Sequence, residues 1–178
     1  IALVLGPFNF PLHLPGGQII PALLAGNAIV FKPSEQAMAV AQWMVDAWSR
    51  AGLPRNVLQL LPGAVETAKL AIDAPEVSAV FLTGGRAAGH AIHQQLAGRP
   101  EVLLALELGG NNPIVTLESV DPDVAAKIVS FSSFVSAGQR CTCARRAFYL
   151  DSPAANNQIG SLVNLARGLR SGVPFYSP

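Results

Sequence analysis

Cys141 is the residue of this chain best suited to nucleophilic chemistry. It lies in the stretch 136–143 (SAGQRCTC), between an apolar, helix-like run over 128–135 and a strand-like run over 146–150. Loops held between two rigid elements often carry reactive groups. Only the thiolate form attacks carbon, so such a site also needs nearby positive charge or a base. Three arginines predict an electropositive setting: Arg140, Arg145 and Arg146. A buried, inert thiol is the alternative, because free cysteine often packs as a small apolar side chain.

Glu107 is the candidate general base. It stands in the run 106–110 (LELGG), where a carboxylate among apolar residues precedes a glycine turn. Burial makes a carboxylate hold a proton more readily, so that it can act as a base near neutral pH. The alternative is a buried structural glutamate that is paired with an arginine.

Two further stretches have the residue types of a nucleotide site. The run 83–89 (TGGRAAG) follows an apolar strand and opens a helix, whose free N–H groups and dipole favour a phosphate. Glycines that serve only a tight turn are the alternative. Lys32 and Glu35, in the run KPSE, are suited to the ribose or adenine of a nucleotide, or are simply solvated loop charges. His90 and His93, one helical turn apart, are interpreted as an ordinary polar helix face.

Composition and charge exclude several classes of protein. The net charge is +1, with 7% aromatic residues and no basic block, which argues against a nucleic-acid surface. Residues 1–31 contain no Asp, Glu, Lys or Arg, but prolines and glycines break this run into pieces too short for a membrane-spanning helix. No charged segment precedes an apolar one as in a signal peptide. Two cysteines at this spacing cannot form a relaxed disulfide, which fits a reducing, cytoplasmic setting. No zinc-ligand spacing is present, so no metal is expected.

Apolar strands that alternate with helices predict a doubly wound, mostly parallel α/β sheet. Strands are predicted over 1–5, 28–31, 57–61, 79–82, 102–106, 113–117 and 146–150, and helices over 16–26, 36–51, 64–72, 89–96, 122–136 and 157–169. Ligands of such sheets gather beyond the carboxyl ends of the strands. Four candidate residues are predicted to stand in loops there: Asn9, Lys32, Gly84 and Glu107. The end, 171–178, is interpreted as a loop or a severed tail.

The chain is too apolar for a complete soluble domain. Charged residues make up 13% and apolar residues 51%, with a mean hydropathy of +0.39. We therefore expect a piece of a larger protein, with faces that further chain would cover. A change of composition at Gly109-Gly110 predicts a domain boundary.

Five blocks, taken in order, resemble the signature blocks of the NAD(P)-dependent aldehyde dehydrogenase superfamily. They are PFNFP (7–11), KPSE (32–35), FLTG (81–84), ELGG (107–110) and GQRC (138–141). The interval of 34 residues between Glu107 and Cys141 is also similar to that of the superfamily. Within it, GGNNP (109–113), HLP (13–15) and GQRCTCARR (138–146) resemble the N-succinylglutamate 5-semialdehyde dehydrogenases of bacterial arginine catabolism.

This resemblance implies a Rossmann-like NAD-binding domain, of which 1–109 is a part, and the start of a catalytic domain over 110–178. It further implies a small-molecule aldehyde as substrate and a homo-oligomer at full length. Cys141 would attack the aldehyde as a thiolate, and the Asn9 amide and the Cys141 backbone N–H would hold the oxyanion of the thiohemiacetal. Hydride passes to NAD, and Glu107 then activates water to hydrolyse the resulting thioester. Arg140 is a hypothetical partner for a substrate carboxylate.

NAD is the implied cofactor, with NADP as the alternative. The implied contacts are Lys32, Ser34, Glu35, Gly63, Gly84, Gly85, Arg86, Ala87, Ala88, Gly89 and Leu108. Three positions depart from the usual pattern of the superfamily. Phe8 replaces a tryptophan, and Asn111 stands where most relatives have lysine. Gly85 replaces a serine, which removes one hydroxyl near the pyrophosphate and predicts weakened cofactor binding.

Two other functions stay open. One is a coenzyme-A-acylating member of the superfamily, in which a thiol replaces water; Glu107 argues against it, because a base poised for water suits hydrolysis. The other is a fragment that binds a nucleotide without catalysis, which the apolar composition favours. From the 178 residues alone we expect no turnover.

Overall fold

Two parallel sheets organise residues 1–172, the part of the chain that the computed structural model describes. The chain divides into two units, Ile1–Gly109 and the residues from Gly110 onward. All strand pairs in both units are parallel, so the predicted α/β fold class is confirmed. The assignment of the first unit to an NAD-binding domain and of the second to a catalytic domain stays a prediction.

The first unit holds five strands and four helices. The strands are β1 (Ala2–Leu5), β2 (Ile29–Lys32), β3 (Leu58–Leu60), β4 (Ala79–Gly84) and β5 (Leu103–Leu108). The helices are α1 (His13–Leu24), α2 (Met38–Arg50), α3 (Val65–Asp73) and α4 (Arg86–Gln95), and a 3-10 turn over Glu35–Ala37 precedes α2. The strand order is β3-β2-β1-β4-β5, which places β1 in the centre of the sheet.

The sheet of the first unit is buried on both faces. On one face Ala2 and Val4 of β1 pack in a cluster with buried residues of α1 and α2. On the other face Leu3 and Leu5 pack with buried residues of α3 and α4. Successive side chains of a strand point to opposite faces, so a strand covered on both sides is a continuous apolar run. This is why residues 1–5 could be recognised as a buried strand.

Helix α1 begins earlier than the predicted 16–26. It starts at His13 and includes two prolines, Pro15 in its first turn and Pro21 in its interior. The first turn of a helix has no internal partner for its N–H groups, so Pro15 removes no hydrogen bond. Pro21 has no N–H, so the Gly17 carbonyl lacks the donor that it would have in a regular helix. Both residues are exposed. Water can therefore replace the missing hydrogen bond, and the helix continues past Pro21.

Within residues 110–172, the second unit contains a two-stranded sheet and two helices. Strand β6 (Asn112–Val115) pairs with β7 (Ala144–Phe148), and the helices are α5 (Pro122–Phe134) and α6 (Pro153–Arg167). Helix α6 begins four residues before the predicted start because Ser152 caps it, accepting a hydrogen bond from the Ala155 N–H. The predicted helix over 122–136 ends at Phe134, where a 3-10 turn over Val135–Gly138 leads into the cysteine loop. Most of the predicted tail, 173–178, lies outside the described residues.

Within residues 1–172, none of the helices combines the length and the apolar character that crossing a membrane requires.

Candidate active site

The candidate residues of the first unit meet at the carboxyl edge of its sheet. Lys32 is the last residue of β2, and Gly84 is the last residue of β4. Glu107 lies inside β5, where it is paired in register with Thr83. The prediction that these three stand in loops is therefore wrong, because β2, β4 and β5 extend further than their apolar runs. The prediction that they share the carboxyl edge of a parallel sheet still holds.

Lys32 is buried, so its interpretation as a solvated loop charge is wrong. Its Nζ donates to the Pro33 carbonyl at 3.0 Å and to Glu35 Oε1 at 3.3 Å. The Lys32 side chain is only 8% exposed, whereas that of Glu35 is 53% exposed. A hydrogen bond from its own backbone N–H lowers the pKa of the Glu35 carboxyl from its ordinary value; burial opposes this effect, and the neighbouring Lys32 ammonium adds to the lowering. The pair holds a cation and an anion side by side at the end of β2.

Ser34 shapes the turn between these two charges. Its hydroxyl accepts a hydrogen bond from the Gln36 N–H at 3.3 Å, so it caps the 3-10 turn over Glu35–Ala37. Helix α2, which the sequence predicts directly after this cap, starts only at Met38. Ser34 is thus tied to the turn that positions the Glu35 carboxylate.

The N-terminus of α4 is exposed and uncapped. Gly85 is its N-cap, and no side chain caps the helix there. A Cβ added at Gly85 would meet no atom within 4 Å. The first-turn residues Arg86, Ala87 and Ala88 are all exposed. Uncapped N–H groups beside free space are what a phosphate group requires, so this end of α4 fits a pyrophosphate.

Two glycines in the first unit are required by close contacts. Gly63, after β3, has a φ of +144°, and a Cβ there would lie 2.0 Å from Thr67 Oγ1. Gly89, buried in the second turn of α4, would place a Cβ 2.8 Å from a methyl carbon of Leu108. Because Leu108 is also paired in register with Gly84, three of the predicted cofactor contacts, Gly84, Gly89 and Leu108, lie together.

Asn9 and Glu107 are both accessible within the first unit. Asn9 is half-buried in the bend over 8–10 that follows β1, and the neighbouring Phe8 is 49% exposed. Glu107 is exposed and forms no ion pair among residues 1–172. The expectation of a buried carboxylate is therefore wrong, and so is the alternative of a buried glutamate paired with an arginine.

The two cysteines of the second unit differ in environment. Cys141 is exposed, whereas Cys143 is only 2% exposed and its Sγ lies 3.8 Å from the Val135 carbonyl oxygen. Cys143, rather than Cys141, is thus the buried thiol that packs as a small apolar side chain. Exposure leaves the Cys141 sulfur available for reaction.

The turn that leads into the cysteine loop has an unusual backbone. Ser136, Ala137 and Gly138 have φ values of 55°, 54° and 69°, three consecutive residues in the left-handed region. Residues other than glycine seldom adopt this conformation, and they keep it only where the surroundings hold it. The Gln139 N–H donates to the Ser136 carbonyl at 2.9 Å and closes the turn.

The three arginines near Cys141 all bind the protein's own atoms. Arg140 Nε donates to Ser136 Oγ at 3.1 Å, and Arg145 Nη2 donates to the Gly138 carbonyl at 3.0 Å. Arg146 Nη2 donates to the Asn111 carbonyl at 3.0 Å, and its guanidinium lies 5.6 Å from the centre of the Phe148 ring. The three arginines therefore also have a structural role. Two of them bind residues of the turn before Cys141, and the third binds the Asn111 backbone.

Asn112 is absent from the predicted site residues, yet it makes side-chain contacts with the cysteine loop. Its Nδ2 donates to the carbonyls of Cys141 and Cys143, the latter at 3.2 Å. Sequence alone offers no signal that separates it from Asn111, since both are small polar residues next to a glycine pair.

Gln18 is a second residue absent from the predicted site. Gln18 lies in α1, and its Nε2 donates to Thr83 Oγ1 at 3.1 Å. Thr83 is the residue of β4 that pairs in register with Glu107. A polar residue in the apolar run of α1 was the available signal. Its Oε1 is buried and has no hydrogen-bond partner among the described residues.

Histidines and acidic residues form no metal site in the part of the chain that the structure describes. No group of three or more His, Cys, Asp or Glu side chains there could hold a metal ion. His90 and His93 are exposed on α4, as an ordinary polar helix face would be.

Comparison with known proteins agrees with this architecture. A family model described as the aldehyde dehydrogenase family matches residues 1–177. N-succinylglutamate 5-semialdehyde dehydrogenase of Erwinia tasmaniensis is 46% identical over 172 residues, which are 97% of this chain and 35% of that protein. The chain thus spans about a third of the length of this curated relative.

Two solved structures are similar over almost the whole chain. Proline utilization A of Bradyrhizobium japonicum has a TM-score of 0.92 at 34% identity, over 96% of this chain and 18% of its own. An NADP-dependent glyceraldehyde-3-phosphate dehydrogenase of Bacillus halodurans, solved with NADP, has a TM-score of 0.90 at 32% identity, over 97% of this chain and 36% of its own.

Proposed function

Because this chain belongs to the aldehyde dehydrogenase family, we propose that it supplies the nucleophile, the base and the cofactor contacts for oxidising an aldehyde to a carboxylic acid. The observation that carries the proposal is the exposed thiol of Cys141, on a loop braced by Asn112 and Arg145, beside a second cysteine that is buried. A reactive thiol needs access, which the exposure of Cys141 gives, and a restrained backbone, which the hydrogen bonds from Asn112 and Arg145 support.

The carboxyl edge of the first sheet fits a nicotinamide dinucleotide. Lys32, Ser34 and Glu35 would bind a ribose, since a buried ammonium and an exposed carboxylate offer a donor and an acceptor to its hydroxyls. The uncapped turn of α4, from Gly84 to Gly89, would hold the pyrophosphate, with Gly63 and Leu108 adjoining the cofactor. When bound, the nicotinamide ring supplies the hydride acceptor. The chain's own residues supply the rest.

The reaction begins with the Cys141 thiolate. Its sulfur forms a bond to the aldehyde carbon, and the carbonyl oxygen takes the negative charge of a thiohemiacetal. The Asn9 side-chain amide and the Cys141 backbone N–H donate to that oxygen, an interaction that commonly lowers such barriers by roughly 3–4 kcal/mol. Hydride then leaves the carbon, and a thioester remains on the Cys141 sulfur.

Glu107 completes the cycle. Its carboxylate removes a proton from water as the water oxygen attacks the thioester carbon, and the carbon–sulfur bond breaks. The carboxylic acid leaves, the electron pair of the broken carbon–sulfur bond restores the Cys141 thiolate, and Glu107 releases its proton to solvent. The exposure of Glu107 supports this role, because water can reach its carboxylate.

N-succinylglutamate 5-semialdehyde is the substrate we propose. The support is the 46% identity to the Erwinia tasmaniensis enzyme, together with the position of Arg140 one residue before the nucleophile. Arg140 would pair with a substrate carboxylate, as guanidinium groups do with planar anions.

The test of the activity uses the polypeptide expressed from the complete reading frame that contains this chain. Reduction of NAD and of NADP is measured with N-succinylglutamate semialdehyde, with and without coenzyme A. We expect free acid as product in both cases, and loss of turnover in Cys141→Ser but not in the matched variant Cys143→Ser. Full activity of Cys141→Ser would refute the proposed nucleophile, and an acyl-coenzyme A product would favour the acylating alternative.

The substrate assignment has its own prediction. Arg140→Gln should raise KM for the dicarboxylic semialdehyde by about tenfold or more, because a charge-assisted pair is lost, and should change KM for a neutral aldehyde much less. Steady-state kinetics with both aldehydes measure the difference. Arg140 also braces Ser136, so an equal rise for both substrates would show a structural effect alone and reject the pairing.

A further inference from the structure

We propose that Asn112 is the positioning residue of the Cys141 loop. This inference rests on the proposed function, since it takes Cys141 as the nucleophile. Asn112 is the first residue of β6. The cysteine loop leads into β7, the strand that pairs with β6, and the Asn112 side chain reaches across to that loop. There its Nδ2 donates to two carbonyls of the loop, those of Cys141 and Cys143.

The chemistry of the contact makes the orientation of the amide unambiguous. Both partners are carbonyl oxygens, which only accept hydrogen bonds, so the nitrogen of the carboxamide must face them. That nitrogen carries two N–H groups, one for each carbonyl. The two carbonyls lie on either side of Thr142, so one side chain fixes two peptide planes of the loop. Because the Cβ of Cys141 is rigidly attached to this backbone, fixing the planes limits the directions its sulfur can take.

Gly110 provides the space for this contact. A Cβ added there would lie 3.0 Å from Asn112 Oδ1, 3.1 Å from Asn112 Nδ2 and 3.1 Å from the Cys141 carbonyl oxygen. These distances are tighter than ordinary van der Waals contacts, so a larger residue would push the amide and the loop apart. The absence of a side chain at Gly110 therefore leaves room for the contact between Asn112 and Cys141. This is a second observation in its favour, beside the hydrogen bonds.

The strand pairing is irregular at the same place. Asn112 is paired with Ala144, whereas the next residue, Pro113, is paired with Arg146, so the register shifts by one residue between them. Such bulges redirect side chains and are common beside active sites. Here the bulge separates Asn112, whose side chain holds the loop, from the regular pairing of residues 113–115 with 146–148.

The loop also needs a restraint. The residues just before it, Ser136 and Ala137, are held in the left-handed region, a conformation that relaxes unless other contacts maintain it. Arg145 restrains one end through the Gly138 carbonyl. Asn112 restrains the other end, at the nucleophile itself.

The first test detects the hydrogen bonds directly in the 178-residue chain. Its two cysteines are the two acceptors, so labelling cysteine with ¹³C at the carbonyl gives two signals, both from the contact. Loss of a hydrogen bond moves a carbonyl ¹³C signal upfield. We expect both signals to move in Asn112→Ala and neither in the matched variant Asn111→Ala, whose side chain does not bond the loop in the described residues. Unmoved signals in Asn112→Ala would overturn the proposal, as would equal shifts in both variants.

The second variant, Asn112→Ser, keeps one hydroxyl donor on a shorter side chain and replaces Asn112→Ala in the test should that variant fail to fold. One signal should then stay near its original position while the other moves. Native-state alkylation by iodoacetamide gives a parallel measure, because the buried Cys143 reacts only when the loop opens. We expect Cys143 to react about tenfold faster in Asn112→Ala, equivalent to ~1.4 kcal/mol, and at the original rate in Asn111→Ala. Equal rates in the two variants would contradict a role in holding the loop.

A kinetic measurement separates positioning from substrate binding. In the polypeptide from the complete reading frame, Asn112→Ala should lower kcat by about tenfold and leave KM within about twofold, since the side chain acts through the nucleophile. A raised KM with unchanged kcat would overturn the role. The ¹³C and alkylation readouts do not depend on turnover, so failure of the proposed function and failure of this inference are distinguishable.

Discussion

Gly85 is a position where one added hydroxyl should improve the proposed cofactor site. Its φ of −83° and ψ of 155° are typical of a serine N-cap, and a side chain there would enter free space. Gly85→Ser should tighten binding of the dinucleotide by about 1 kcal/mol, or roughly fivefold in Kd, because the hydroxyl adds one hydrogen bond. Isothermal titration calorimetry measures the change. The matched variant Gly98→Ser, also in open space, should bind as the original chain does; weaker binding by Gly85→Ser would show that the hydroxyl competes for the helix N–H groups.

Glu35 should make the stability of the chain depend on pH. The pKa of its carboxyl is lowered in the folded state, so the ionised form is favoured by folding. This contribution is present above the ordinary pKa of a glutamate carboxyl and is lost as the pH falls through the lowered pKa of the folded state. Glu35→Gln should thus melt below the original chain near neutral pH, and the gap should close in acid. Thermal melts over a pH series measure it, with the exposed Glu118→Gln as control; a gap independent of pH would contradict the linkage.

Among the elements, the junction between α3 and β4 depends on one arginine. The Arg99 guanidinium donates to the Ile72 carbonyl at 2.8 Å, to the Ala74 carbonyl at 3.4 Å and to the Val77 carbonyl at 2.9 Å. Arg99→Ala leaves these carbonyls without their charged donor and should lower the free energy of unfolding by about 2–3 kcal/mol. Urea unfolding measures the loss. Arg99→Lys should recover part of it, whereas Arg55→Ala, at an exposed arginine, should have almost no effect; equal losses at both arginines would refute the role.

Most elements could be predicted from apolar patterns because the first sheet is buried on both faces. Runs such as 1–5 and 79–82 are continuously apolar, and a glycine follows each within two residues (Gly6 and Gly84), so a buried strand could be recognised in both. The ends of these strands are harder to predict. Strands β4 and β5 continue through Thr83 and Glu107, whose polar side chains gave no sign of a strand although their backbones still pair.

The parts of the site that could not be predicted depend on contacts between distant residues. Glu107 and Lys32 were recognisable by type, but the burial of Lys32 and the exposure of Glu107 follow from the sheet edge around them. The contact of Asn112 with the Cys141 loop joins residues 29 apart, which no local pattern reveals. The left-handed turn at Ser136 and Ala137 also could not be predicted from the sequence, since serine and alanine have no preference for that conformation.

We expect the 178-residue chain to bind a dinucleotide without oxidising an aldehyde. The proposed cofactor contacts lie at one edge of the first sheet, whereas the chain matches only 35% of its curated relative. Fluorescence titration with NAD and NADP should show saturable binding, and the semialdehyde assay should show no turnover. Turnover by this chain would contradict the expectation, and absence of saturable binding would contradict the cofactor site.

The central position of β1 has a consequence during synthesis on the ribosome. Its first partner, β2, follows after about 27 residues, from Ala2 to Ile29, but its second partner, β4, follows only after about 77, from Ala2 to Ala79. Until β4 emerges, one side of the most buried strand of the sheet has no neighbour, and its backbone groups can pair with any other extended chain. Nascent polypeptides on one messenger are thus exposed to mispairing at this strand, and a chaperone that shields residues 2–5 would have its greatest effect in that interval.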